Sequence, residues 1–313
     1  MRFLAGFLFA LFSGISFGQT GVMHIVVPFG AGGVQDILAR AISSELGAAL
    51  GKNVIVENRP GAGGTIGTAY VAKSAPDGNT LVLAAASHTI AGSLYARLPY
   101  DPIADFTGVA HIGTIDYVLM VNSGVKAASV GEFIALAKAN PGRFNYASAG
   151  NGSATHLSMA YFNGLAGTEM VHIPYKSTGE AVQEVLAGRA QAVISGTIGA
   201  IPYAKDPRVR LLGVTGEKRS KFLPELPAVG ETLPGYVFDS WLGLLGPKAM
   251  PRKTAEAIDA AMHKLLKDPV ILERLAKQGV EPKALGVDEF DALLRADFQK
   301  MAKVVKASGA RID

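Results

Sequence analysis

Two loops built from glycine and small polar residues carry most of the chemistry this sequence can do. Pro28-Phe29-Gly30-Ala31-Gly32-Gly33 joins a strand pattern at 24–29 to a helical pattern starting at Val34. Glycines let the main chain come close to a ligand, and the free N–H groups and positive dipole end of a helix start favour an anion. A tight strand-to-helix turn accounts for the same residues without a ligand. Ser148-Ala149-Gly150-Asn151-Gly152-Ser153-Ala154-Thr155-His156 repeats the layout after a strand at 144–147. Ser153 or Thr155 suits a helix N-cap, and the same hydroxyl and N–H donors suit a carboxylate.

Sharper chemistries fail on spacing. A dinucleotide fingerprint needs glycine where Asp36 stands, and in Gly61-Ala62-Gly63-Gly64-Thr65-Ile66-Gly67 the last glycine comes one residue late. A phosphate loop ending in Gly-Lys-Ser/Thr does not occur. A nucleophile elbow around Ser148 would need glycine at Tyr146. The six histidines, at 24, 88, 111, 156, 172 and 263, form no metal-binding pair, and His24 and His172 read as structural residues on strands. His88, in Ser87-His88-Thr89 after a strand, and His156 at a helix start are the two placed for a ligand contact. Asp36 and Asp116 form no carboxylate dyad that spacing identifies. The residues call for no cofactor and no metal.

The elements that must position these loops follow from periodicity. Strand-like runs at 24–29, 53–57 and 80–86 alternate with helical patterns near 34–49 and 65–74, and strands are also expected at 109–112 and 117–121. A second series runs helix 130–139, strand 144–147, helix 155–165, strand 170–174, helix 179–187, and strands 190–195 and 209–214. A strand at 241–245 and helices over 251–307 complete the chain. This is an α/β pattern of two βα-repeat lobes, each a sheet flanked by helices, and ligands of such sheets bind at the C-terminal ends of strands.

Composition narrows the class. The chain has 313 residues, no cysteine, and 30 Lys+Arg against 26 Asp+Glu, for a net charge of +4. The basic residues are scattered, with only Lys218, Arg219 and Lys221 close together, so a nucleic-acid surface is not expected. Arg2, an apolar stretch at 3–17, and small residues Ser16 and Gly18 form a secretory signal peptide with cleavage after Gly18. The expected organisation is signal peptide 1–18, first lobe 19–123 plus 240–313, and second lobe 124–239, with crossings near 122–126 and 235–241.

Several of these segments together resemble a known family. They are Val26-Val27-Pro28-Phe29 with Gly32, Gly33 and Asp36; Val56-Glu57-Asn58-Arg59-Pro60-Gly61-Ala62-Gly63-Gly64; Ala75-Pro76-Asp77-Gly78; Leu98-Pro99-Tyr100-Asp101-Pro102; Asn145-Tyr146-Ala147-Ser148-Ala149-Gly150-Asn151-Gly152; His172-Ile173-Pro174-Tyr175-Lys176; and Ser240-Trp241-Leu242-Gly243-Leu244. In this order, over essentially the whole mature chain, they resemble the Bug (TctC-like) family, the periplasmic solute-binding proteins of tripartite tricarboxylate transporters. The resemblance implies an α/β two-lobe periplasmic-binding-protein (Venus flytrap) fold that captures a small carboxylate and hands it to membrane permease subunits without chemistry. It implies ligand contacts from the loops at 29–36 and 148–155.

The candidate ligand-binding set is Phe29, Ala31, Gly32, Gly33, Asp36, Ser87, His88, Ser148, Asn151, Ser153, Thr155, Tyr175 and Thr197. Small residues at Ala31, Gly196 and Gly199 are expected to leave room for a bulky or aromatic diacid, with His88, Thr197 and Trp241 near its distal group. The expected protein is a periplasmic monomer whose ligand is an organic carboxylate, aliphatic and aromatic dicarboxylates among the candidates. Two other classes stay open on sequence: a periplasmic α/β hydrolytic enzyme using Ser148 or His156, and a ligand-dependent sensory partner of a receptor kinase.

Overall fold

A computed structural model describes residues 21–310; the expected signal peptide at 1–18 lies outside the described residues. Three parallel strands, β1 (Val22–Val27), β2 (Asn53–Asn58) and β3 (Thr80–Ala85), form one side of the first sheet in the order β2-β1-β3. Met23, Ile25 and Val27 of β1 enter the main core with Leu38, Ile42 and Leu46 of α1 (Val34–Leu50). Val26 points the other way, to Val71 of α2 (Thr65–Ala72). A strand buried on both faces needs helices on both, which is why this part of the sequence alternates strand and helix.

The two halves of the molecule share one long strand. β4 (Phe106–Asn122) pairs along its first part with β9 (Asp239–Pro247), which also pairs with β3, and on its other edge with β10 (Val280–Pro282). From Tyr117 onward the partners of β4 are β7 (Ala192–Gly196) and β8 (Val209–Val214), both antiparallel. β5 (Asn145–Ser148) and β6 (Val171–Pro174) add parallel strands beyond β7. The helices of this second half are α4 (Val130–Ala139), α5 (Ala154–Ala166), α6 (Thr178–Leu186) and the short α7 (Thr197–Ala200).

The expected pair of strands at 109–112 and 117–121 is therefore a single strand. Register shifts between Gly108 and Ala110 and between His111 and Gly113 break the period-2 pattern that would have marked its length. Gly113 is needed because a Cβ there would collide with the main-chain carbonyl of Glu281 on β10. Along β4 the pairing partner changes from β9 to β7 and β8 at Asp116 and Tyr117. The return passage lies between Phe238, whose N–H donates to the Thr215 carbonyl at 2.8 Å, and Asp239.

The C-terminal segment comprises α8 (Arg252–Leu265), α9 (Pro269–Lys277) and α10 (Val287–Ser308). α10 does more than pack back on the first sheet. Its Asp297 accepts from Thr89 of α3 (Ser87–Leu94) at 2.6 Å and from the Trp241 indole at 2.8 Å, while its far end reaches α5, where Gly164 faces the Ala307 carbonyl. Among the described residues no helix is long and apolar enough to cross a membrane.

Four histidines are held neutral within this core. Burial lowers His88, His111 and His156 to about 4 and His172 to about 3. The unfolded chain, with histidines near 6.5, binds more protons than the folded one between these values. Their contribution to stability is fully present above about pH 6.5 and is lost as pH falls toward 4, by up to about 1.4 kcal/mol per pH unit for each. The melting temperature should therefore fall steeply from pH 7 to 4.5; a flat profile over that range, measured by circular dichroism, contradicts the neutral-histidine core.

Candidate functional site

Four helices begin at one small cavity between the two sheets. Val34 and Gln35 open α1, Ser87 opens α3, Ala154 and Thr155 open α5, and Thr178 opens α6; all line it. Phe29, Ala85, Ala149, Ser153 and Tyr117 complete the wall. Its volume is about 20 Å³, close to what one water needs. The two halves meet beside it, where the Gly30 N–H donates to the Lys176 carbonyl at 3.0 Å.

No side chain in this lining carries a charge near neutral pH; burial pushes the Tyr117 phenol up from its ordinary value. The positive character comes from the backbone. Neither α1 nor α3 has a side-chain N-cap, so the N–H groups of their first turns have no partner within the helix. In α5 the Ser153 hydroxyl accepts from the His156 N–H at 3.2 Å, and in α6 the Ser177 hydroxyl accepts from the Glu180 N–H at 3.1 Å. Those caps leave the first two N–H groups of each helix. Gln35, Ser87 and Thr178 are buried and their side chains hydrogen-bond to no described residue, leaving polar atoms free toward the cavity.

Asp36 is the one carboxylate in the first turn of α1, and its charge is used locally. It accepts from the Gly32 N–H at 2.9 Å and from Arg40 Nε at 3.0 Å. Burial alone would raise its pKa, but the Arg40 and Gly32 hydrogen bonds outweigh that and hold it below its ordinary value. Both contacts tie its carboxylate to the glycine loop and to α1.

The second-lobe loop is braced from behind by two stacked imidazoles. His156 and His172 lie with ring centroids 4.1 Å apart, and Tyr146 stacks on His172 at 4.9 Å. His172 Nε2 is 2.5 Å from the Ser148 hydroxyl, which also accepts from the Gly150 N–H at 3.0 Å. His156 Nδ1 accepts from the Gly152 N–H at 3.2 Å, which requires that nitrogen to be unprotonated. Ser148 is fully buried, so this Ser–His contact holds the loop and presents no nucleophile.

The structure brings together Phe29, Ser87, Ser153 and Thr155 of the expected residues, with Gly33 beside them as the residue preceding α1. Ala31 is exposed and Gly32 faces Gly179 across the cleft. Asn151 and Tyr175 line an outer vestibule of about 630 Å³, not the inner cavity. His88 is turned away: it packs against Tyr100, Phe106 and Trp241, with Nε2 2.8 Å from the Pro102 carbonyl. Thr197 donates to the Gly279 carbonyl at 2.8 Å, and Trp241 donates to Asp297, so neither joins the cavity wall. The space expected at Gly196 is filled by Val34 and Ile115, and that at Gly199 by the Ser195 hydroxyl.

Sequence reasoning passed over Val34, Gln35, Tyr117 and Thr178. Ser177-Thr178-Gly179-Glu180 after a strand is a capping-box signature that would have exposed the α6 start as a third loop of the same kind. Tyr117 sits mid-strand and has no local signal.

The model of the tripartite tricarboxylate transporter family receptor, TctC, matches residues 38–310. Protein BugT of Bordetella pertussis is 32% identical over 293 residues, covering 93% of this chain and 90% of BugT. Among solved structures, R. palustris Rpa4515 with adipate is 29% identical with a TM-score of 0.89, over 94% of this chain and 99% of that one. MatC from Rhodopseudomonas palustris with bound malate is 28% identical with a TM-score of 0.86, over 91% of this chain and 98% of that one. These relatives are receptors with a two-lobe binding-protein fold and not enzymes, and this chain belongs to the tripartite tricarboxylate transporter receptor family.

Proposed function

We propose that this protein captures a small dicarboxylate in the cleft between its lobes and presents it to the permease subunits of a tripartite tricarboxylate transporter. The carrying observation is the convergence of four helix N-termini on a cavity lined by no charged side chain. Each terminus is equivalent to roughly half a positive charge, so four supply about two, the charge of a dicarboxylate. Fixed N–H groups meet the anion without the desolvation that buried lysine or arginine would require. The adipate of Rpa4515 and the malate of MatC, both dicarboxylates on closely similar folds, support the same ligand class.

The mechanism needs no proton transfer. A dicarboxylate enters through the vestibule, its charge meets the first turns of α1 and α3 on one side and α5 and α6 on the other, and closure excludes water. Ligand that binds the closed form better than the open one shifts the population toward closure, and the permease then reads the closed shape. The lobes would be 19–123 plus 240–313 and 124–239, with the strand pairing of Tyr117–Asn122 favouring a slightly earlier first boundary. Acting as a monomer in the periplasm, after removal of residues 1–18, fits this role.

Two measurements test the reading. In a thermal-shift panel, aliphatic dicarboxylates such as adipate and malate should raise the melting temperature by on the order of 5 °C at a hundredfold excess over Kd. Stabilisation by sugars or cations alone would sink it. Gly33 faces Ser177 and the Thr178 N–H across the cleft and has an extended backbone that any residue adopts. Gly33→Leu should therefore abolish the shift while leaving the unliganded melting temperature within a few degrees of the parent; undiminished binding would remove this loop from the site.

A further inference from the structure

The glycine-rich turn Gly61-Ala62-Gly63-Gly64 takes no part in the inner cavity, although it is the most constrained backbone near the cleft. Ala62 has φ +45°, in the left-handed region that disfavours a side chain, and Gly61, Gly63 and Gly64 have φ of +135°, +63° and +100°. A Cβ at Gly63 would collide with the main-chain carbonyl of Asn151 on the opposite lobe. The turn thus meets the second-lobe loop backbone to backbone, at a place where only glycine permits the approach.

Tyr95, the residue that ends α3, reaches into this contact. Its hydroxyl lies 2.7 Å from the Ala62 carbonyl and 2.9 Å from the Asn151 carbonyl, a single donor shared between the two lobes. Burial raises the phenol from its ordinary value, so it keeps its proton. Both acceptors belong to the wall of the 630 Å³ vestibule, and Ala149 lines the vestibule and the inner cavity alike. The contact therefore lies on the route between outside and the four helix N-termini. Nearby, the Gly30 N–H donates to the Lys176 carbonyl at 3.0 Å, a main-chain bond across the same seam.

We propose that Tyr95 is a positioning residue that latches the lobes shut: its hydroxyl bridges the Gly61–Gly64 turn to Asn151 and stabilises the closed form whatever occupies the cleft. When the lobes part, the hydroxyl keeps Ala62 and releases Asn151 to water. Without the hydroxyl, closure brings two carbonyl oxygens together with no donor between them. Tyr95→Phe preserves the ring and removes only that donor.

The absence of cysteine makes the test clean. Spin labels on cysteines introduced at the exposed positions Lys73 and Gln183, one in each lobe, report the interlobe distance by pulsed electron resonance. The measurement is made with no ligand added, so it does not depend on the dicarboxylate reading. Relative to the doubly labelled parent, Tyr95→Phe should lower the closed-to-open ratio about fivefold, the size of one net hydrogen bond, with the melting temperature lowered by no more than about 4 °C. Gly63→Ala should shift the distances the same way. A Tyr95→Phe distance distribution identical to the parent's overturns the latch, and so does a loss of the short distance accompanied by a fall in melting temperature of about 10 °C or more, which marks a folding defect instead.

Discussion

An anion buried away from water must be met by positive charge or by enough fixed donors, and this protein's cleft supplies donors. Four helices start at one cavity, and the two that come from the first lobe carry no side-chain cap. The sheet order is what makes this convergence possible. β1, β3, β5 and β6 each lead through a loop or a single residue into one of these helices, while β4 runs through the seam and contributes Tyr117. Were one of these strands to enter its sheet in the opposite direction, its helix would present carbonyls to the ligand.

The groups around the cavity fall into a consistent division of labour. Hydroxyl caps on α5 and α6 set loop geometry while leaving the first N–H groups unclaimed, and Asp36 spends its charge on Gly32 and Arg40. His156 accepts from the Gly152 N–H and stacks on His172, which touches the Ser148 hydroxyl, so two neutral rings brace the second loop. Where β4 exchanges β9 for β7 and β8 as partners, Asp116 and Asp239 face each other as strand partners. Burial raises Asp116, with Asp239 adding to the effect, and Lys300 pairs with Asp239.

Much of this was legible in the sequence. The order of the βα alternation is legible, and the helix at 130–139 and the strand at 209–214 to the residue, because their periodicity is strong and glycine or proline punctuates them. The loops at 29–36 and 148–155 stood out because small residues between a strand and a helix have few other uses. What failed has specific causes. α3 contains Thr89, Ile90 and Gly92, poor helix formers, so Ser87 and His88 looked like a loop, and His88 was assigned to the cleft when it is the second residue of a helix facing the core. Bulges hid the length of β4. Thr197 follows a strand as Ser87 does, but its helix has four residues and its hydroxyl is taken by Gly279. Tyr95 and Tyr117 act through contacts to distant segments, which local pattern does not encode.

The central claim is that backbone and neutral side chains alone hold the ligand's charge. A crystal structure of the protein with whichever dicarboxylate stabilises it most tests this directly. The account predicts carboxylate oxygens within hydrogen-bond distance of first-turn N–H groups of α1 and α5, and no lysine, arginine or histidine side chain touching them. A carboxylate paired with any cationic side chain, or seated outside the four helix N-termini, contradicts it.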